Sequence, residues 1–261
     1  MKRKVLASLF LMSAFAFSAD AFELDQQEIY NENGITVTVK GAESGFMGDE
    51  IKMEIVNDST DDIIVQYDNV CVNGFMINAL GSDDVASSKK AIGDITLMNS
   101  EMKIIDEVAK IQFNVKVLGS DYHEIAKSDL VTITVPGMES YEQVYDDSGE
   151  VMVDNDTCKI VFKGIEDSIM GKEAMLFIQN KTDDIIIVQA GDTSVNGYMI
   201  NALQYCEMLP HSYAIDGITY LSTYLEESYI DEIEEIECKF KATDESYTKL
   251  FESEPINIQV K

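Results

Sequence analysis

The sequence predicts an all-β protein built from two tandem immunoglobulin-like β-sandwich domains, each with a short helical turn. The first observation is a duplication. Val72-Asn73-Gly74-Phe75-Met76-Ile77-Asn78-Ala79-Leu80 returns 123 residues later as Val195-Asn196-Gly197-Tyr198-Met199-Ile200-Asn201-Ala202-Leu203, with eight of nine positions identical and one aromatic exchanged for another. That interval is too long for a solenoid unit and suits a whole domain. The second observation is apolar alternation with a period of two. The third is the turn-forming residues that fall between the alternating runs.

The chain opens on a secretory signal pattern. Lys2-Arg3-Lys4 supplies the positive region, Val5 to Phe17 the short apolar region, and Ala19-Asp20-Ala21 the small-x-small cleavage site. Residues 1–21 are read as a signal peptide, with an uncleaved anchor as the alternative. The apolar run of about 13 residues is short for a membrane span, which needs about 20. No cysteine follows that run to accept a lipid, and no second apolar run reaches spanning length. The mature chain is expected to be secreted and to lack a membrane span.

Beyond the nine-residue motif, Val39-Lys40-Gly41-Ala42-Glu43 answers Phe162-Lys163-Gly164-Ile165-Glu166, and Met47-Gly48 answers Met170-Gly171. Thr60-Asp61-Asp62-Ile63-Ile64 aligns with Thr182-Asp183-Asp184-Ile185-Ile186 at a spacing one shorter. The first repeat is assigned to 22–136 and the second to 154–261. Residues 137–153, which contain Asp146-Asp147-Ser148-Gly149-Glu150, form an acidic linker. The alternative for that segment is a counterpart of the lead-in at 25–34.

Ile35, Val37 and Val39 alternate with polar residues, as do Ile51, Met53 and Ile55, and Ile111, Phe113, Val115 and Val117. Each set marks a strand with one face buried. Gly41, Asn57-Asp58-Ser59 and Gly119-Ser120-Asp121 are the turns between them. Asn73-Gly74 and Asn196-Gly197 each predict a tight two-residue hairpin, because both central positions need positive φ. Ser100 to Glu107 breaks the alternation and reads as a helical turn, answered by Thr223-Tyr224-Leu225-Glu226-Glu227. About seven short strands per repeat fit an immunoglobulin-like sandwich, with a small open barrel as the rival. Tyr122 and Tyr247 are candidates for a tyrosine corner.

Val195-Asn196-Gly197-Tyr198-Met199, its variant Val72-Asn73-Gly74-Phe75-Met76, and the pattern from Asp106 to Phe113 and Asp231 to Cys238 resemble a family. It comprises immunoglobulin-like modules of exported proteins and lipoproteins from Gram-positive, often gut-dwelling, anaerobic bacteria. The resemblance covers both repeats. It implies a fold and a location outside the cell, and no defined activity. Many members are lipoproteins, whereas this signal lacks the lipid-accepting cysteine.

Charge narrows the partners. The chain carries a formal net charge of −29, which becomes −31 without residues 1–21, and its only arginine is Arg3. Such a chain repels nucleic acid and anionic membrane surfaces. Cations, basic proteins and neutral glycans remain, as does the plainer reading that the charge keeps an exported protein soluble.

The catalytic inventory is sparse. His123 and His211 lie in different repeats, without a motif around either, so no enzyme is expected. Cys71, Cys158, Cys206 and Cys238 allow three disulfide pairings, or four buried thiols. Cys158 and Cys238 fall on core faces and are the pair best placed to bridge. The spacings fit no zinc or EF-hand site, so no cofactor is expected. Clustered aspartates at 58, 61 and 62 leave weak calcium binding as an alternative.

The repeated hairpin is the candidate working surface: Asn73, Phe75 and Met76 in one repeat, Asn196, Tyr198 and Met199 in the other. An exposed aromatic-methionine pair suits a protein or a sugar face. The competing reading is that these side chains plug the end of the sandwich. The function expected is a non-enzymatic interaction or adhesion protein whose partner is a protein or glycan at the cell surface. The alternative is an extracellular binder of a small ligand or divalent cation, which calls for a concave pocket.

Overall fold

The computed structural model describes residues 22–260; the segment 1–21, read from sequence as a signal peptide, lies outside them. The first repeat contains β1 (Gln27–Glu32), β2 (Ile35–Ser44), β3 (Gly48–Asn57), β4 (Ile63–Val72), β5 (Phe75–Met76), β6 (Ala79–Leu80), β7 (Ser82–Val85), β8 (Lys89–Met98), β9 (Lys110–Gly119), β10 (Glu124–Lys127) and β11 (Val131–Thr134). The second contains β12 (Glu150–Asp154), β13 (Cys158–Asp167), β14 (Gly171–Asn180), β15 (Ile186–Val195), β16 (Tyr198–Met199), β17 (Ala202–Leu203), β18 (Cys206–Met208), β19 (Tyr213–Leu221), β20 (Glu235–Thr243), β21 (Lys249–Glu252) and β22 (Ile256–Gln259). A 3₁₀ turn at Met102–Ile104 follows β8, and the helix α1 (Ser222–Glu227) follows β19.

Each repeat is a two-sheet antiparallel sandwich. In the first, β1-β2-β3-β8-β6 faces a sheet in which β9 and β4 carry β10, β11, β5 and β7. In the second, β12-β13-β14-β19 faces β16-β15-β20-β21, with β18 on β15 and β22 on β20. This is the immunoglobulin arrangement of one sheet from the first, second and fifth main strands and another from the third, sixth and seventh.

Alternation produces the cores. Val37, Val39, Ile51, Met53, Ile55, Ile95 and Leu97 pack against Val65, Ile111, Phe113, Val115 and Val117. Tyr67 meets Phe113 edge to face at 5.7 Å. Each such buried side chain contributes about 1.5–3 kcal/mol of transfer free energy. At Gly48 and Gly171 the strand edges approach so closely that a Cβ would sit 1.8 Å from the Leu97 carbonyl oxygen or 2.1 Å from that of Tyr220. The repeated Met-Gly pair therefore has a steric reason.

Three sequence expectations change. Glu150 to Val153 are not linker: they belong to β12, which pairs with β13 as β1 pairs with β2. The repeat alignment at Thr60 slips by one. Asn57 Oδ1 accepts from the amide and hydroxyl of Ser59, and Asn180 Oδ1 accepts from those of Thr182. Both side-chain amides donate forward, to the carbonyls of Asp61 and Asp184. Ser59 is thus the partner of Thr182, and the 123-residue spacing holds through this turn. Tyr122 and Tyr247 form no tyrosine corner. Both are exposed residues with φ of 65° and 61° in the tight turns after β9 and β20.

No cysteine pair bridges, and the four thiols are free and buried. Burial pushes the Cys158 thiol up to about 11, and Cys71 and Cys238 to about 12. A thiol-specific disulfide reagent at pH 8 is therefore expected to leave the native protein unlabelled and to label all four thiols after unfolding. Rapid labelling of one equivalent in the native state would contradict this burial.

Candidate functional site

Both Asn-Gly pairs make the expected turn, with φ of 52° and 92° at Asn73-Gly74 and 50° and 82° at Asn196-Gly197. The asparagines face inward. Asn73 Nδ2 donates to the Glu107 carbonyl at 2.6 Å, while its Oδ1 accepts from the amides of Ala109 and Lys110, both at 2.9 Å. Asn196 repeats this, donating to Glu232 at 2.8 Å and accepting from Glu234 and Glu235 at 2.9 and 3.0 Å. Each asparagine clasps the chain entering β9 or β20. The left-handed turn aims their side-chain amides at that chain, so these two candidate binding residues spend those groups on the framework.

The aromatic-methionine pairs part company. Phe75 is 4% exposed, whereas Tyr198 is 56% and Met199 74% exposed. Phe75 is covered by the other repeat. The Tyr213 amide donates to the Gly74 carbonyl at 2.8 Å, so β5 pairs in parallel with β19 and links sheets of the two sandwiches. Phe75 lies 5.0 Å from Tyr145, 6.0 Å from Tyr213 and 6.4 Å from Phe177, ring centre to ring centre. Tyr145 stacks on Tyr213 at 3.9 Å and donates its hydroxyl to the Asn73 carbonyl. Val161 and Phe177, from the second sandwich, are buried in the core of the first, and Met76 packs against the core of the second.

The connecting segment takes part in this contact. Tyr145 is the wedge between the sandwiches. Lys163 holds Asp146 at 3.1 Å and Lys159 holds Asp147 at 2.5 Å. Hydrogen bonds from Ser148, with Lys163, bring the Asp146 carboxyl down to about 2. The linker acids are thus anchored to β13 by its lysines.

The equivalent end of the second sandwich is open. Gly171 pairs with Leu221, and the Ser222 amide donates to Met170, which puts the β13–β14 turn beside the exit of β19. The Asn196 clasp brings the β15–β16 hairpin to the same end. Ile169, Met170, Tyr198, Met199 and Tyr229 are all exposed there. The sequence reading singled out Tyr198 and Met199 and missed Ile169 and Tyr229. An apolar residue at a turn tip is the signal that marks Ile169; Phe46 occupies the same place in the first repeat.

Other chemistry is thin. His123 and His211 are exposed beside Asp121 and Asp183, the second at 2.7 Å. Among the described residues, no group of three or more His, Cys, Asp or Glu is arranged to hold a metal ion. No helix of these residues is long and apolar enough to cross a membrane. A cleft of about 250 Å³ between the sandwiches is lined by Asn69, Met76, Asn78, Glu101, Glu207 and Asp216. Burial raises the Asp216 carboxyl there.

Asp83 stands apart from this surface. Its Oδ2 is buried without a hydrogen bond, and so is the Tyr67 hydroxyl. Burial, then Asp94 and Asp84, lift its carboxyl to about 6 against the weaker opposing effect of Lys52. The folded state therefore holds this proton more tightly than the unfolded chain does. Stability is expected to fall as pH rises from about 4 to about 6 on this account, and then to level off. Asp83→Asn is expected to flatten that slope and to raise the urea midpoint at pH 7. Identical pH profiles for the two proteins would refute it.

No family model matches the chain, and no curated protein matches it. Among solved structures it is similar to the YadV chaperone, at 12% identity and a TM-score of 0.26, covering 81% of this chain and 92% of that one. The Salmonella enterica SafA pilin in complex with the SafB chaperone follows at 12% identity and 0.25, covering 81% and 89%. The E. coli chaperone DraB follows at 13% identity and 0.24, also covering 81% and 89%. These superpositions are poor overall.

Proposed function

We propose that this is an exported, non-enzymatic interaction protein whose working surface is the open end of the second sandwich. One observation carries the reading. The same hairpin docks onto the other sandwich of its own chain in the first repeat and is bare in the second. Tyr198 and Met199 pair a rigid aromatic with an adaptable thioether, a combination that suits a protein partner. Ile169, Met170 and Tyr229 extend them into a patch. The signal pattern at 1–21 supports a partner outside the cell.

The test compares retention of the labelled mature chain on the envelope of the exporting cells. Tyr198→Asp with Met199→Lys is expected to cut retention about tenfold or more, on the scale of one lost anchor. Val144→Asp, equally exposed but in the connecting segment, is expected to change nothing. Equal retention of all three proteins would sink the reading.

A further inference from the structure

We propose that the open end of the second sandwich docks onto the outer β2–β3–β8 face of the first sandwich of another copy. This repeats, head to tail, the contact that joins the two sandwiches within one chain. The inference rests on the functional reading above and names its partner.

The template is the internal contact. There the hairpin covers a row running straight across three strands, Val161 opposite Phe177 and Phe177 opposite Ile215. The same register in the first sandwich gives Thr38 opposite Glu54 and Glu54 opposite Ile92. Ile92 is 67% exposed, while its counterpart Ile215 is packed against the first core. Lys90 stands where Tyr213 does: it faces Val56 on β3 as Tyr213 faces Gln179 on β14. Tyr213 turns its N–H away from β14 toward Gly74, so Lys90, in the same register, turns its N–H toward the same outer edge.

The two rows differ in a way that fits a reversible contact. Val161 and Phe177 are fully buried, and a permanently covered face is apolar. Thr38 and Glu54 suit a face that spends part of its time in water. The hairpin changes in step, since Tyr198 adds a hydroxyl where Phe75 has none.

Charge points the same way. The donor end carries exposed Glu226, Glu227, Asp231, Glu232 and Glu234. The acceptor edge carries exposed Lys89 and Lys90, the only adjacent basic residues after the signal segment. Complementary charges of this kind orient an encounter and select against wrong faces. Because donor and acceptor are different surfaces, the contact is heterologous and propagates along an open chain.

Sedimentation velocity of the mature chain from about 1 μM to about 1 mM tests this. The expected result is an average mass that rises with concentration beyond the dimer. Tyr198→Asp, or Ile92→Asp with Lys90→Glu, is expected to weaken association at least about tenfold. Both sites are exposed, and circular dichroism melts confirm that the variants fold. An equimolar mixture of the two variants is expected to form a 1:1 dimer and stop, because each contributes one intact surface.

A monomer at every concentration overturns the inference, as does a mixture that yields no heterodimer. If the chain stays monomeric while envelope retention still requires Tyr198, this inference falls and the functional reading stands. If Tyr198 matters to neither measurement, both fall.

Discussion

Phe75→Ala is expected to cost about 3–5 kcal/mol, while Tyr198→Ala at the same place in the second repeat stays within about 0.5 kcal/mol. The two residues share turn type, neighbours in sequence and an asparagine clasp. They differ in what covers them. Phe75 lies against Tyr145, Phe177 and Tyr213, and truncation there empties a space that three aromatic rings line. Aromatic pairs contribute about 0.5–1.5 kcal/mol each beyond their buried area, so the loss exceeds that of an aliphatic side chain. Tyr198 is more than half exposed, and water replaces most of what is removed. Urea unfolding followed by circular dichroism gives both values. A second readout locates the damage. The Tyr213 amide, bonded to Gly74 in the native protein, is expected to exchange hydrogen faster in Phe75→Ala and unchanged in Tyr198→Ala. Similar costs for the two substitutions would mean that the sandwiches do not depend on this contact.

That contrast is invisible in the hairpins themselves, whose sequences differ by one aromatic exchange. The signal lay across the interface. In the first repeat Val37-Thr38-Val39 and Met53-Glu54-Ile55 alternate, as strands with one solvated face do. In the second, Ile160-Val161-Phe162 and Leu176-Phe177-Ile178 are unbroken apolar runs, the pattern of strands covered on both faces. The duplication, the alternating strands and the Asn-Gly turns were legible because each rests on local chemistry. Asn33-Gly34, with φ of 55° and 77°, makes the β1–β2 hairpin by the same rule and went unread within the lead-in. The one-residue slip at Thr60 had a different cause. Identity of Thr-Asp-Asp outweighed the buried asparagines at 57 and 180, whose role depends on hydrogen bonds that sequence spacing does not display. The open end escaped for a third reason. Ile169 and Tyr229 are far apart in sequence, and only the antiparallel pairing of β13, β14 and β19 brings their loops together.

Asn73→Ala is expected to cost about 3–4 kcal/mol, and Asn196→Ala about 1–2. Two terms combine at Asn73. Alanine in the left-handed region at φ 52° is strained by about 1–2 kcal/mol. The Ala109 amide, buried and bonded only through Asn73 Oδ1 among the described residues, is left without an acceptor, which adds about 1–3 kcal/mol. Asn196 shares the first term. Its clasp on Glu234 and Glu235 lies nearer solvent, so water takes over the freed amides. Glycine separates the terms. Asn73→Gly removes the backbone strain and keeps the unsatisfied amide, so it is expected to fall between wild type and Asn73→Ala by about the strain alone. Urea midpoints rank the variants, and hydrogen exchange at Ala109 and Lys110 reports the clasp directly. Equal costs at 73 and 196 would show that burial of the Ala109 amide adds nothing, and an Asn73→Gly variant as stable as wild type would show that the clasp contributes nothing. With the clasp intact in both repeats, the asparagines set where each hairpin stands. The side chains after them differ in cover: of these two Asn-Gly hairpins, the first lays Phe75 against the second sandwich and the second leaves Tyr198 and Met199 exposed.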